Sequence, residues 1–90
     1  ALRVEGESMV EEGIRQGDYI IVKKQENFEN GNMVVALLGH EATVKKIYRH
    51  RGGKIELRPA NSRMDSLWTK AGELRIQGLV VGLYRRYPNG

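Results

Sequence analysis

The sequence predicts a mainly β protein: a strongly bent sheet or half-barrel of short strands with at most one short helix. Eleven glycines punctuate the 90 residues and separate short apolar runs, as strands joined by tight turns require. The run Tyr19-Ile20-Ile21-Val22 is rich in β-branched residues, which favour a pleated surface. A hydrophobic share of 40% suits one small core with little to spare.

Taken in order, residues 2–4 form a first candidate strand, and residues 9–13 have room for one helical turn stopped by Gly13 or Gly17. Residues 19–24 are continuous enough to read as a strand buried on both faces. Residues 27–32, with Asn30-Gly31 inside, read as a loop. Residues 33–38 and 41–49 flank Gly39-His40, a two-residue connection with glycine first, as a type II′ hairpin turn prefers. Gly52-Gly53 makes another turn and residues 54–58 another strand. Pro59-Ala60-Asn61-Ser62 opens an irregular stretch running to about Gly72, with the single Trp68 inside it. Residues 74–76 and 79–84 supply one or two closing strands, with Gly78 and Gly82 as sites for a bulge or bend. No repeat or linker divides residues 1–90, so a single domain is expected.

Composition removes several kinds of chemistry. There is no cysteine, which excludes disulfides, zinc knuckles and thiol catalysis and fits a reducing compartment. The two histidines, His40 and His50, stand in polar, Gly-flanked surroundings without the paired spacing of metal ligands. They read as turn residues, and neither metal nor organic cofactor is expected. No run approaches the roughly 18 apolar residues of a membrane helix, and the start lacks the order of a signal peptide. A cytoplasmic protein without membrane contact is the expectation. The net charge of +4 comes with basic clusters at Lys23-Lys24, Lys45-Lys46, Arg49 to Arg51 and Arg85-Arg86. Acidic residues are interspersed through the first third, so this segment is not expected to bind DNA directly.

Two residues invite a chemical reading. Ser8-Met9-Val10-Glu11 matches the capping box that begins many helices. A serine there also lies beside unpaired backbone N–H groups and the positive end of a helix dipole, where an oxyanion from acyl transfer would be stabilised. Cap and nucleophile both remain open on this motif. Lys45 lies mid-strand, sharing a face with Thr43 and Ile47, while Ala42, Val44, Lys46 and Tyr48 share the other. Neither face is cleanly polar. One of the adjacent lysines is drawn against apolar surface, either with a depressed pKa or with its stem packed and its head in water. A serine-lysine dyad needs the first, since a lysine near its ordinary pKa of about 10.4 cannot accept a hydroxyl proton at pH 7.

Six ordered blocks bear on the choice: Gly6-Glu7-Ser8-Met9; Gly13-Ile14 with Gly17-Asp18; Asn30-Gly31; Glu41-Ala42-Thr43-Val44-Lys45-Lys46; Glu56-Leu57-Arg58-Pro59-Ala60-Asn61; and Gly78-Leu79-Val80-Val81-Gly82. Together, with serine and lysine 37 positions apart, they resemble the catalytic domains of LexA-type self-cleaving repressors over nearly the whole chain. The resemblance implies a mostly β serine endopeptidase in which Ser8 is the nucleophile and Lys45 the general base and later general acid. The backbone N–H groups of Glu7 and Ser8 would form the oxyanion hole. It implies a homodimer joined along residues 77–87, with Gly78, Leu79, Val80, Val81 and Gly82 on the paired edge. It also implies the RecA filament on single-stranded DNA as co-protease in the SOS response. In this family a winged helix-turn-helix domain binds operator DNA, and the scissile Ala-Gly bond lies upstream of the serine; both would precede Ala1. Ala71-Gly72, downstream of both residues, reads as a loop without a scissile role.

The alternatives are a UmuD-like subunit of a translesion polymerase, a basic β-barrel that grips single-stranded nucleic acid, and a non-catalytic dimerisation module. Aromatic residues at 7% leave few stacking positions for the nucleic-acid reading. Asp18 reads as a turn acceptor, Met9 and Met33 as core or pocket lining, and Leu67 and Trp68 as core or an exposed contact.

Overall fold

The computed structural model describes residues 2–88. Seven strands form one antiparallel sheet: β1 Leu2–Arg3, β2 Tyr19–Lys23, β3 Met33–Leu38, β4 Glu41–Arg49, β5 Lys54–Arg58, β6 Leu67–Lys70 and β7 Leu74–Tyr84. Their spatial order is β1-β2-β7-β3-β4-β5-β6, so the closing strand lies in the middle and the sheet stays open at β1 and β6. The mainly β expectation holds. Helical structure among the described residues is limited to single 3₁₀ turns at Val10–Glu12, Arg51–Gly53 and Ala71–Glu73, and none of these is long and apolar enough to cross a membrane.

The β3–β4 hairpin forms as its turn chemistry requires. Leu38 pairs with Glu41 across Gly39-His40; Gly39 takes φ 59° and His40 keeps a negative φ, the sign pattern of a type II′ turn. The long β7 is one strand. It carries an extra residue relative to β3 at Gln77 and relative to β2 at Val81, each beside one of the glycines read as bend sites. These bulges let it change partners, pairing with β3 along Leu74 to Leu79 and with β2 along Leu79 to Tyr84. At Gly78 a Cβ would lie 2.4 Å from the Lys23 carbonyl oxygen, so only glycine lets the strands approach this closely.

Two apolar clusters flank the sheet. One gathers Val4, Met9, Ile14, Ile20, Val35 and Val44; the other gathers Val34, Ala36, Ile47, Ile55 and Leu57. Neighbours Val34, Val35 and Ala36 of β3 alternate between them, as expected of a central strand covered on both faces. Complete burial of Ile20, Ile47 and Leu57 contributes roughly 1.5–3 kcal/mol for each side chain.

Several expectations need correction. β2 is not buried on both faces: Ile20 is fully buried, but Ile21 is 50% exposed, because only the side facing Met9 and Ile14 is covered. The stretch read as irregular contains β6, a four-residue strand that pairs with β5 from Leu67↔Leu57 to Lys54↔Lys70. It shows no apolar alternation because both Leu67 and Trp68 face solvent; its partner creates it. Trp68 is therefore outside the core. The supposed edge over residues 77–87 is only partly an edge. Leu79 pairs with Val34 on one side and Lys23 on the other, and Gly78 pairs with Val35, so these two are interior. Val80, Val81 and Gly82 lie where the ladder with β3 has ended, and among the described residues the pairing from Val80 to Tyr84 is with β2 alone. Residues 85–87 are outside the strand.

Candidate active site

Lys45 sits in the middle of β4, opposite Val34 of β3, and is only 6% exposed. Its neighbour points the other way: Lys46 reaches Glu12 at 2.6 Å and stays partly in water, where that carboxylate raises its pKa. The adjacent lysines thus divide the two fates open to such a pair. Burial pushes the Lys45 ammonium below its ordinary pKa, and the Glu41 carboxylate four residues earlier partly opposes this.

The Lys45 Nζ donates to Thr43 Oγ1 and to Ser8 Oγ, the latter at 3.1 Å. Thr43 is two residues back on the same strand face, so the period of a β-strand places its hydroxyl where it can hold the amine. Ser8 Oγ also lies 3.5 Å from the Val44 carbonyl oxygen, to which it donates. With Lys45 neutral, the same 3.1 Å separation lets the Ser8 hydroxyl donate to Nζ. The pair then has the reach required of a nucleophile and its base.

Ser8 is not a helix cap. The 3₁₀ turn begins at Val10 with Met9 at the cap position and no side-chain capping hydrogen bond. Glu11, its would-be capping-box partner, instead accepts from the Ser62 backbone N–H at 2.7 Å. The loop that carries Ser8 is held from below by Met9, 1% exposed, whose sulfur accepts from the Ala60 N–H. From the side, the Glu11 N–H donates to the Ala60 carbonyl, and Asn61 Nδ2 donates to the Glu7 carbonyl at 2.9 Å. Among the described residues, neither the Glu7 nor the Ser8 amide N–H donates to a protein acceptor.

Between this loop and β4 runs a groove of about 410 Å³, lined in part by Leu2, Val4, Ser8, Thr43, Lys45 and Met64. A smaller hollow continues it toward Leu38 and Leu67. The pairing of β4 with β5 starts only at Lys46, which leaves the 41–45 stretch of that edge, among the described residues, without a strand partner. A shallow trough along Lys54, Trp68 and Lys70 is larger, at about 460 Å³, but no serine lines it and its lysines are exposed.

The remaining candidates have structural places. Asp18 is buried and accepts from the Arg15 N–H and from Nε and Nη2 of Arg85; the Arg85 guanidinium foremost holds its pKa at about 2. His50 contacts Glu56 at 2.9 Å and stacks at a tilt on Trp68. Among the described residues there is no group of three or more His, Asp or Glu side chains that could hold a metal ion. Thr43 and Asn61 were within the recognised blocks but had no assigned part. The two-residue spacing to Lys45 could have marked Thr43; Asn61, 54 positions from Glu7, has no local signal.

A half-buried serine hydrogen-bonded to a desolvated lysine lines a groove beside an open β-sheet, a geometry compatible with serine peptidase chemistry. Residues 1–81 match the family described as Peptidase S24-like, and the chain belongs to that family. It is similar to the LexA repressor of Syntrophobacter fumaroxidans, 59% identical over 87 residues covering 97% of this chain and 42% of that protein. The LexA repressor of Finegoldia magna is 54% identical over 84 residues, 93% of this chain and 39% of its own length. That of Thermotoga petrophila is 48% identical over 85 residues, 94% and 43%. The chain thus spans about two fifths of the length of these curated relatives.

Proposed function

We propose that residues 1–90 are the catalytic and dimerisation domain of a LexA-like, self-cleaving repressor of the SOS response, and that the dyad is Ser8 and Lys45. The observation that carries this is the 3.1 Å contact between Ser8 Oγ and the Nζ of a lysine only 6% exposed. A capping serine and a snorkelling lysine would not meet there.

The chemistry follows from the atoms. Neutral Lys45 takes the Ser8 hydroxyl proton as Oγ attacks the carbonyl carbon of the scissile alanine. The oxyanion that forms is met by the backbone N–H groups of Glu7 and Ser8. Collapse breaks the C–N bond, and Lys45 Nζ–H returns the proton to the departing glycine nitrogen. Water then releases the acyl group by the same path, with Lys45 again as base. The substrate is an Ala-Gly bond upstream in the same polypeptide, and the unpartnered stretch of β4 at residues 41–45 suits an extended segment laid in as an added strand. Thr43 holds the amine in line.

The wider assignments rest on the family. Operator DNA is bound through an upstream domain, the protein works in the cytoplasm as a homodimer, and the RecA filament on single-stranded DNA acts as co-protease by favouring the conformer with the bond in the groove. The relatives' repressor name favours this reading over a UmuD-like subunit. The test supplies the Ala-Gly segment in trans as a peptide and follows cleavage from about pH 7 to 10, with Ser8→Ala and Lys45→Ala alongside. Cleavage that rises with pH and vanishes in both variants is expected. Cleavage indifferent to either substitution, or none at all from folded protein, overturns the assignment.

A further inference from the structure

We propose that Asn61 is a positioning residue for the oxyanion hole, holding the Glu7–Ser8 peptide plane so that the Ser8 N–H faces the reacting carbonyl. This rests on the peptidase reading above and adds to it a residue from a distant part of the chain. A trans peptide is planar, so its C=O and N–H point in opposite directions. Whatever fixes the Glu7 carbonyl therefore fixes the direction of the Ser8 N–H.

That carbonyl is fixed from two sides. Asn61 Nδ2 donates to it at 2.9 Å, and the Val10 N–H donates at the longer distance of 3.4 Å. The side-chain amide is itself oriented without ambiguity, because its Oδ1 accepts from the Arg63 backbone N–H at 3.0 Å. Reversing the amide would put two acceptors together at one end and two donors at the other. A hydrogen bond at the carbonyl end also polarises the peptide unit and strengthens the N–H at its far end as a donor. The Ser8 loop has few internal restraints: a bend precedes it, its turn is closed only by the long Val10 N–H to Glu7 bond, and Gly6 has φ 80°. Without Asn61, the shorter of the two bonds on that peptide is lost.

The segment around Asn61 touches the same loop elsewhere, which provides the control. Glu11 accepts from the Ser62 N–H at 2.7 Å, a contact that ties the two segments together without involving the Glu7–Ser8 peptide. Asn61→Asp keeps the acceptor for Arg63 and removes the donor to Glu7. Glu11→Ala does the reverse, loosening the tie and leaving the peptide plane alone.

The experiment measures kcat, KM and the pH midpoint for cleavage of an Ala-Gly peptide in trans by the chain and by Asn61→Asp, Asn61→Ala and Glu11→Ala, with Ser8→Ala and Lys45→Ala as references. Thermal melts confine the comparison to folded protein. Both Asn61 variants are expected to lose kcat by roughly ten- to a hundredfold, less than outright removal of an oxyanion donor. KM should stay near its original value, and in Asn61→Ala, which adds no charge, the pH midpoint, which belongs to Lys45, should not move. Glu11→Ala is expected to keep kcat within about twofold, since it touches no reacting group. Undiminished kcat in the Asn61 variants, with cleavage still abolished in Ser8→Ala and Lys45→Ala, overturns this inference and leaves the dyad standing. An equal loss in Glu11→Ala, or a moved pH midpoint in Asn61→Ala, also overturns it, by making Asn61 a general brace. If the unsubstituted chain does not cleave, or Ser8→Ala still does, the peptidase reading falls and this inference with it.

Discussion

Lys45 holds an amine out of water, where its charge is least stable, and Glu41 works against that arrangement by favouring the ammonium. In the proposed mechanism only the neutral amine accepts the Ser8 proton, so activity is expected to climb as pH rises through the lysine midpoint. Removing the Glu41 charge lowers that midpoint and enlarges the neutral fraction at pH 7. Glu41→Gln is therefore expected to quicken cleavage at pH 7 by roughly two- to tenfold and to move the pH–rate profile toward lower pH. The effect should shrink at high salt, because Glu41 lies at the exposed end of its strand. A profile that stays in place or moves upward would contradict the electrostatic account. At this scale much was legible beforehand. Alternation along β4 put Lys45 and Thr43 on one face, and the ordered blocks singled out Ser8. Its release from capping was not legible, because the competing partner of Glu11 is Ser62, 51 residues away.

At the scale of elements, β7 and the loop before β6 organise the site. Gly78 allows β7 to press against β2, and a Cβ there would meet the Lys23 carbonyl oxygen at 2.4 Å and Val22 Cγ1 at 2.5 Å. Backbone cannot retreat as a side-chain tip can. Gly78→Ala is expected to destabilise the fold by about 3 kcal/mol, the upper end of overpacking costs, read as a lower denaturant midpoint with an unchanged slope. The Gly39-His40 hairpin could be read from two residues, since turn chemistry is local. β6 could not, because a four-residue strand with exposed Leu67 and Trp68 owes its existence to the facing edge of β5.

Over the whole molecule, two buried carboxylates tie loops to the sheet, one across the chain and one within a short stretch of it. Asp18 joins the loop after the 3₁₀ turn to Arg85 beyond β7, and Glu56 gathers Arg58, Ser66 and His50 beneath the approach to β6. Each is held at about 2, Asp18 from 3.8 chiefly by Arg85 and Glu56 from 4.5 chiefly by Arg58. A carboxyl depressed by folding stabilises fully above its ordinary pKa and loses that contribution as pH falls through the folded value. The melting temperature should therefore drop as pH falls from 4.5 to about 2, and the drop should be shallower in Asp18→Asn and Glu56→Gln; an equally steep drop in both would remove these groups as its cause. The proposed homodimer belongs to this scale too. Val81 is 60% exposed and Tyr84 52%, along the part of β7 paired only with β2 among the described residues. A second copy adding its own strand antiparallel would pair that edge. Val81→Asp should then halve the mass seen by sedimentation at micromolar concentration while leaving cleavage of a peptide in trans intact; an unchanged mass would place the interface elsewhere.

By itself the sequence determined the β class, the β3–β4 hairpin, the glycine bends of β7 and the strand face that Lys45 shares with Thr43, because these depend on turn chemistry and strand period, which can be read along the chain. Only the tertiary structure decided that β7 lies in the middle of the sheet, that Ser8 caps nothing, and that Asn61 braces the loop beside it. Those outcomes depend on contacts between residues tens of positions apart, and a backbone group or carboxylate shows no sign in its own neighbourhood of which distant partner will satisfy it.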